Sequence, residues 1–106
     1  MKPSHTINAA ITCMGGFVPE DTITNKELEA LVQTSDEWIR TRTGIGERRI
    51  LKDKTKATSD LAIYAINEIL RKKNLDPKEI DCVICSTMTP DMQLSVTGAY
   101  IATQIG

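Results

Sequence analysis

"TSDLAIYAINEILRKKNLDPKEIDCVICST", Thr58 to Thr87, decides the fold class, because its apolar residues change spacing partway along. From Thr58, the side chains of Ala62, Ala65, Ile66, Ile69 and Leu70 fall on one stripe of a helix. Asp60 lies in its first turn and Arg71, Lys72 and Lys73 in its last, each charge matching the helix dipole. Asn74 is placed to cap the end. "DPKE" then supplies Asp76 as N-cap, Pro77 at the first helical position and Glu79 to close a capping box. The run Val83-Ile84-Cys85 follows as a strand apolar on both faces, the pattern of a buried parallel sheet.

The rest of the chain repeats this alternation. "TINAAITCMGG" reads as a first strand entering a Gly15-Gly16 turn. "TNKELEALVQ" offers a capping box, Thr24 with Glu27, and an apolar face of Leu28, Leu31 and Val32. A second box, Thr34 with Glu37, opens a short helix through Trp38 to about Arg42, with Gly44 placed to end it in the left-handed conformation. A last helix runs roughly from Ser95 to Gln104 and carries the small residues Gly98, Ala99 and Ala102. Strand, helices, strand, helix is an α/β order with right-handed crossovers. Two strands alone do not make a stable sheet. We therefore expect residues 1–106 to be the N-terminal part of one larger domain, with no second domain.

Composition narrows the function. A net charge of −1 gives no whole-protein field toward nucleic acid or an anionic membrane, so any polyanion site has to be local. No apolar run approaches the roughly 18 residues of a membrane span, and the start lacks a signal peptide, which predicts a cytoplasmic protein. Cys13, Cys82 and Cys85 are an odd set for a disulfide framework. Cys82 and Cys85 form a CxxC, but on a strand positions three apart face opposite ways, so buried thiols are expected rather than a metal site. His5 is the one histidine and has no acid or ligand partner nearby in sequence. No catalytic set can be assembled, and "GIGERR" lacks the spacing of a phosphate-cradling loop.

One constellation remains. Trp38 and Arg42 are four apart on the short helix and share a face, and Thr34 stands at its start, where free N–H groups attract anions. Arg40, Arg48 and Arg49 add fixed positive charge, offset by Glu47. An indole that stacks a flat heterocycle beside guanidinium forks that hold phosphate would suit an adenine nucleotide. The same residues also fit a helix anchored to the core by Trp38 and Ile39 with a solvated arginine face. A single-strand nucleic-acid groove would need several aromatics in a row, and the four in this chain are scattered.

"TSDEWIRTRTGIGERRI", Thr34 to Ile50, resembles the signature of the β-ketoacyl-acyl carrier protein synthase III family of condensing enzymes. The flanks agree with it: "GGFVPEDTITNKELE", "ATSDLAIYAINEIL" and "DCVICSTMTPD". The resemblance implies a thiolase-like fold, here the N-terminal βαβ elements of a mixed five-stranded sheet. It implies a cytoplasmic homodimer that loads an acyl group from acyl-CoA onto a cysteine and condenses it with malonyl-acyl carrier protein, releasing CO2. Coenzyme A is then part of a substrate, and no metal or permanently bound cofactor is implied. Trp38 would stack on the adenine, with Thr34 and Arg42 holding the nucleotide end. The family's catalytic cysteine, histidine and asparagine map beyond Gly106, and Cys13, Cys82 and Cys85 do not match the nucleophile's motif. The chain alone is therefore expected to be inactive. A starter ketosynthase of polyketide or quinolone type, and a non-catalytic nucleotide-binding or interaction module, remain as other readings.

The sequence departs from the family at Leu94-Ser95, where an aromatic followed by proline is usual. In the family that aromatic lines the partner's acyl pocket across the dimer. With Leu94 the pocket should be roomier and favour longer or branched primers. Competition between acetyl-CoA and longer acyl-CoAs on the full-length protein checks this: Leu94→Phe should shift selectivity toward acetyl. Unchanged selectivity would contradict it.

Overall fold

The computed structural model describes residues 9–93 and 96–106. His5, Leu94 and Ser95 lie outside the described residues, and with them the expected acyl-pocket position and the expected start of the last helix. The elements run β1 (Thr22–Thr24), α1 (Asn25–Glu29), α2 (Asp36–Thr43), β2 (Glu47–Arg49), α3 (Thr58–Lys73), a 3-10 turn (Pro77–Glu79) and α4 (Thr97–Ile105). The mixed α/β character expected from the sequence is present.

The two strands pair antiparallel, Thr22 with Arg49, Ile23 with Arg48 and Thr24 with Glu47. They close a clasp around α1 and α2, which lie between them in the chain. Sequence reading does not find this pairing, since both strands are three residues long and mostly polar. It does find the caps. Thr24 accepts from the Glu27 N–H at 3.2 Å, and Glu27 accepts from the Thr24 N–H at 2.7 Å. The helix that follows is shorter than its apolar pattern indicates, and Leu31 and Val32 are exposed beyond its end. Gly44, at φ 72°, ends α2 in the left-handed conformation that glycine tolerates, and Asn74 does the same for α3 at φ 49°.

One cap is displaced by a residue from its expected place. Ser35, not Thr34, is the N-cap of α2: its extended backbone precedes the helix and its Oγ accepts from the Trp38 N–H at 3.1 Å. Glu29 then captures the Asp36 N–H at 2.6 Å, from α1. Both Thr34 and Ser35 are good capping types. The tertiary contact from Glu29 selects between them.

Neither of the two expected long strands forms a ladder among the described residues. From Val83 to Met88 the chain alternates, with Val83, Cys85 and Thr87 half-buried and Ile84 and Met88 at 90% and 99% exposure. That is the period of a strand covered on one face, without a neighbour to hydrogen-bond. The covered face meets α4, where a side chain at Gly98 would stand 3.4 Å from the Val83 carbonyl and 3.5 Å from Cys85 Cβ. Cys82 is exposed and Cys85 half-buried, so the two thiols face different environments. The described residues of the N-terminal segment, from 9 onward, likewise run without a ladder, but they are tied to α3. The Gly16 N–H donates to Glu68 at 2.8 Å, and Lys72 pairs with the other carboxylate oxygen at 2.8 Å.

α3 packs chiefly on α4. Its N-terminus is closed by the segment after the expected second strand: the Ser59 N–H donates to Asp91 at 3.0 Å, and Thr58 Oγ1 donates to the Thr89 carbonyl at 2.6 Å. The core is small, with Ile39 and Ile101 the buried apolar side chains among the described residues. The radius of gyration is 19.1 Å, against about 13 Å for a compact domain of this length. Apolar side chains such as Ile11, Met14 and Ile84 consequently stay in solvent.

Gly15 has the least room of the glycines. A Cβ there would lie 2.6 Å from the Ala65 carbonyl oxygen and 2.6 Å from Ile69 Cγ1. Since one obstacle is helix backbone, Gly15→Ala should destabilise the protein by about 1–3 kcal/mol. Urea denaturation measures this, and an unchanged midpoint would contradict it.

Candidate functional site

Trp38 and Arg42 sit one turn apart on α2, and the Arg42 guanidinium lies over the indole, 4.7 Å from the ring centroid. Helical spacing makes the encounter and the ring's negative face favours it. Trp38 is 54% exposed, so it does not anchor the helix. Ile39, next along and 8% exposed, does that. A cleft of about 400 Å³ opens beside the indole, lined by Gln33, Thr34, Ser35 and Trp38. Arg42 is not among the lining residues and covers the ring instead. Thr34, Trp38 and Arg42 are thus gathered around one indole, in the loop and helix that the β1–β2 clasp encloses.

The helix start differs from what the sequence leads one to expect. Its first-turn donors are largely occupied: Glu29 takes the Asp36 N–H, Ser35 Oγ the Trp38 N–H and the Ser35 carbonyl the Ile39 N–H. Few free amides therefore remain beside Thr34 to hold an anion. What remains at Thr34 is its place on the wall of the cleft.

A second cluster supports the helix. Asn25, 1% exposed, donates from Nδ2 to Asp36 Oδ1 and to the Ile45 carbonyl, both at 2.8 Å. Its Oδ1 accepts from Arg48 Nη2 at 2.8 Å. Asp36 also takes a forked bond from Arg40 Nε, at 2.9 and 2.8 Å. Gly46 leaves room for that guanidinium, since a Cβ there would stand 2.8–3.0 Å from its atoms. Arg40 and Arg48 are thereby engaged in the scaffold, and Arg49 donates to the Pro19 and Glu20 carbonyls. Of the four arginines of this stretch, Arg42 is the one turned to the indole. Nothing local in the sequence points to Asn25, because its partners lie 11, 20 and 23 residues away.

Among the described residues no cluster of three or more His, Cys, Asp or Glu side chains could hold a metal ion. No helix there is long and apolar enough to cross a membrane.

No family model matches the chain. It is 50% identical over 100 residues to the β-ketoacyl-[acyl-carrier-protein] synthase III of Porphyromonas gingivalis, a match covering 94% of this chain and 30% of that protein. Among solved structures, the synthase III of Thermus thermophilus superposes with a TM-score of 0.79 at 42% identity, over 91% of this chain and 30% of the other. The priming β-ketosynthase of the R1128 polyketide pathway superposes with a TM-score of 0.77 at 33% identity, over 87% and 27%. The chain spans about 30% of the length of the relatives it matches, and corresponds to their N-terminal portion. The thiolase-like fold expected from the sequence is the fold of these neighbours.

Asp36 shows the electrostatics of the cluster. The hydrogen bond from Asn25 is the chief cause that holds its carboxyl below the ordinary 3.8; desolvation opposes it, and the hydrogen bond and charge of Arg40 add to the lowering. A lowered carboxylate pKa means that the unfolded chain binds the proton more tightly. The stabilisation is complete above the ordinary value and is lost as pH falls through the lower folded value. Carbon-13 NMR of the Asp36 carboxyl should give a midpoint below 3.8. A midpoint at or above it would contradict the arrangement.

Proposed function

We propose that this chain is the coenzyme A-gripping N-terminal portion of a priming condensing enzyme. That enzyme transfers an acyl group from acyl-CoA to a cysteine and joins it to malonyl-acyl carrier protein, giving 3-oxoacyl-acyl carrier protein, CO2 and coenzyme A. The observation that carries this reading is the indole of Trp38, stacked with Arg42 and bordering the cleft at Thr34. It occurs in a chain half identical to a β-ketoacyl-[acyl-carrier-protein] synthase III.

The roles follow from chemistry. An exposed indole is a platform for a purine, and stacking on it excludes water from both faces in contact. Arg42 supplies fixed charge and a planar fork suited to phosphate, and its stacking on the ring limits its motion before the ligand arrives. Thr34 borders the cleft with a hydroxyl that can donate to a nucleotide oxygen. No residue of this chain is assigned a part in bond making or breaking. Coenzyme A enters as the carrier of the substrate acyl group rather than as a resident cofactor. The further partners are an acyl carrier protein and a second copy of the enzyme, in the cytoplasm. A second reading, a starter ketosynthase of a polyketide pathway, is supported by the likeness to the R1128 priming enzyme. It uses the same grip and differs in primer.

In the full-length protein, Trp38→Ala should weaken coenzyme A binding by about 1–3 kcal/mol, the scale of one lost base–aromatic stack. Arg42→Lys should weaken it as well, because a point charge does not replace a fork. Isothermal titration calorimetry reads both. Unaltered affinity in Trp38→Ala would remove Trp38 from the site.

A further inference from the structure

The helix that carries Trp38 and Arg42 is fixed at both of its ends by one side chain. Asn25 donates to Asp36, the first residue of α2, and to the carbonyl of Ile45, just past the Gly44 cap. Both acceptors lie 2.8 Å from the same nitrogen, so Asn25 ties the first residue of the helix to the chain just past its cap. Its carbonyl takes Arg48 of β2, and its backbone N–H donates to the Gly46 carbonyl at 3.1 Å. Every polar group of the residue outside its own carbonyl is therefore engaged with α2, β2 or the loop joining them. Asn25 is itself buried, on an α1 of only five residues, next to β1. An apolar side chain there would leave the Ile45 carbonyl without this donor and Arg48 Nη2 without its acceptor, and would leave Asp36 held by Arg40 alone.

We infer that Asn25 is a positioning residue for the coenzyme A grip: its amide sets the pose of α2, and so the place of Trp38, relative to the β1–β2 clasp. The inference rests on the assignment of Trp38 to coenzyme A. Asn25 touches no ligand in this account. It acts through the helix.

An amide suits the position because it donates twice and accepts once with no charge. Asn25→Asp keeps the size but removes both donors and sets a second carboxylate against Asp36. The charged groups around it are Asp36 and Arg40 on α2, Arg48 and Glu47 on β2, and Lys26 and Glu29 on α1, the last with its carboxylate on the Asp36 N–H. Protonation of the introduced acid would restore one donor and remove the repulsion.

The test is calorimetric titration of coenzyme A into the full-length protein and its Asn25→Asp, Trp38→Ala and doubly substituted forms, at neutral and acid pH. Asn25→Asp should weaken binding on the order of tenfold at neutral pH. It should recover most of that loss on acidification relative to the parent protein. In the Trp38→Ala background the same change should cost clearly less, about threefold or below, because the stack is gone and only Arg42 is left on the helix to be displaced. If Asn25→Asp does not fold, Asn25→Ser enters the same cycle at neutral pH. Equal losses in both backgrounds, or no loss in either, would overturn the inference. If Trp38→Ala alone leaves affinity unchanged, the functional reading itself fails, which separates the two.

Discussion

The buried amide of Asn25 is the constraint on which the site depends. A segment of two short helices, five and eight residues long, has little helical stability of its own. It is held by closure: β1 and β2 pair, and inside that clasp Asn25 joins the beginning and end of α2 to Arg48. A buried polar group is costly unless it is paired, and both polar atoms of the Asn25 side chain are, although Arg48 Nη1 beside them has no partner among the described residues. The arrangement therefore favours a single pose of α2. That pose presents Trp38 outward while Ile39 packs inward, and Arg42 follows one turn later onto the indole.

The division of labour among the arginines comes from the same scaffold. Arg40 is held by Asp36 in a space that Gly46 leaves free, Arg48 by Asn25, and Arg49 by two carbonyls of the preceding loop. A sequence that concentrates positive charge need not present all of it to a ligand. Only the guanidinium stacked on Trp38 is left for that purpose in this account, which makes the site smaller and more specific than a basic patch.

What could be read from the sequence was what is decided within a few residues. The capping box at Thr24, the left-handed ends at Gly44 and Asn74, the stripe of α3 and the four-residue spacing of Trp38 and Arg42 all follow from local geometry. The cap of α2 was misplaced by one because Glu29, not the local sequence, chooses between Thr34 and Ser35. The β1–β2 clasp and Asn25 were missed because their partners are distant and their residues carry no apolar period. The run Val83-Ile84-Cys85 has a strand's alternation, but apolarity on both sides indicated cover on both faces, and Ile84 stands in solvent.

The most direct measurement is the NMR response of the Trp38 indole N–H in the full-length protein to the two halves of coenzyme A, titrated separately. If Trp38 is the adenine platform, adenosine 3′,5′-bisphosphate shifts that resonance and phosphopantetheine leaves it unmoved. A shift produced by phosphopantetheine alone, or by neither half, would contradict the grip and return the indole to an exposed surface side chain without a ligand.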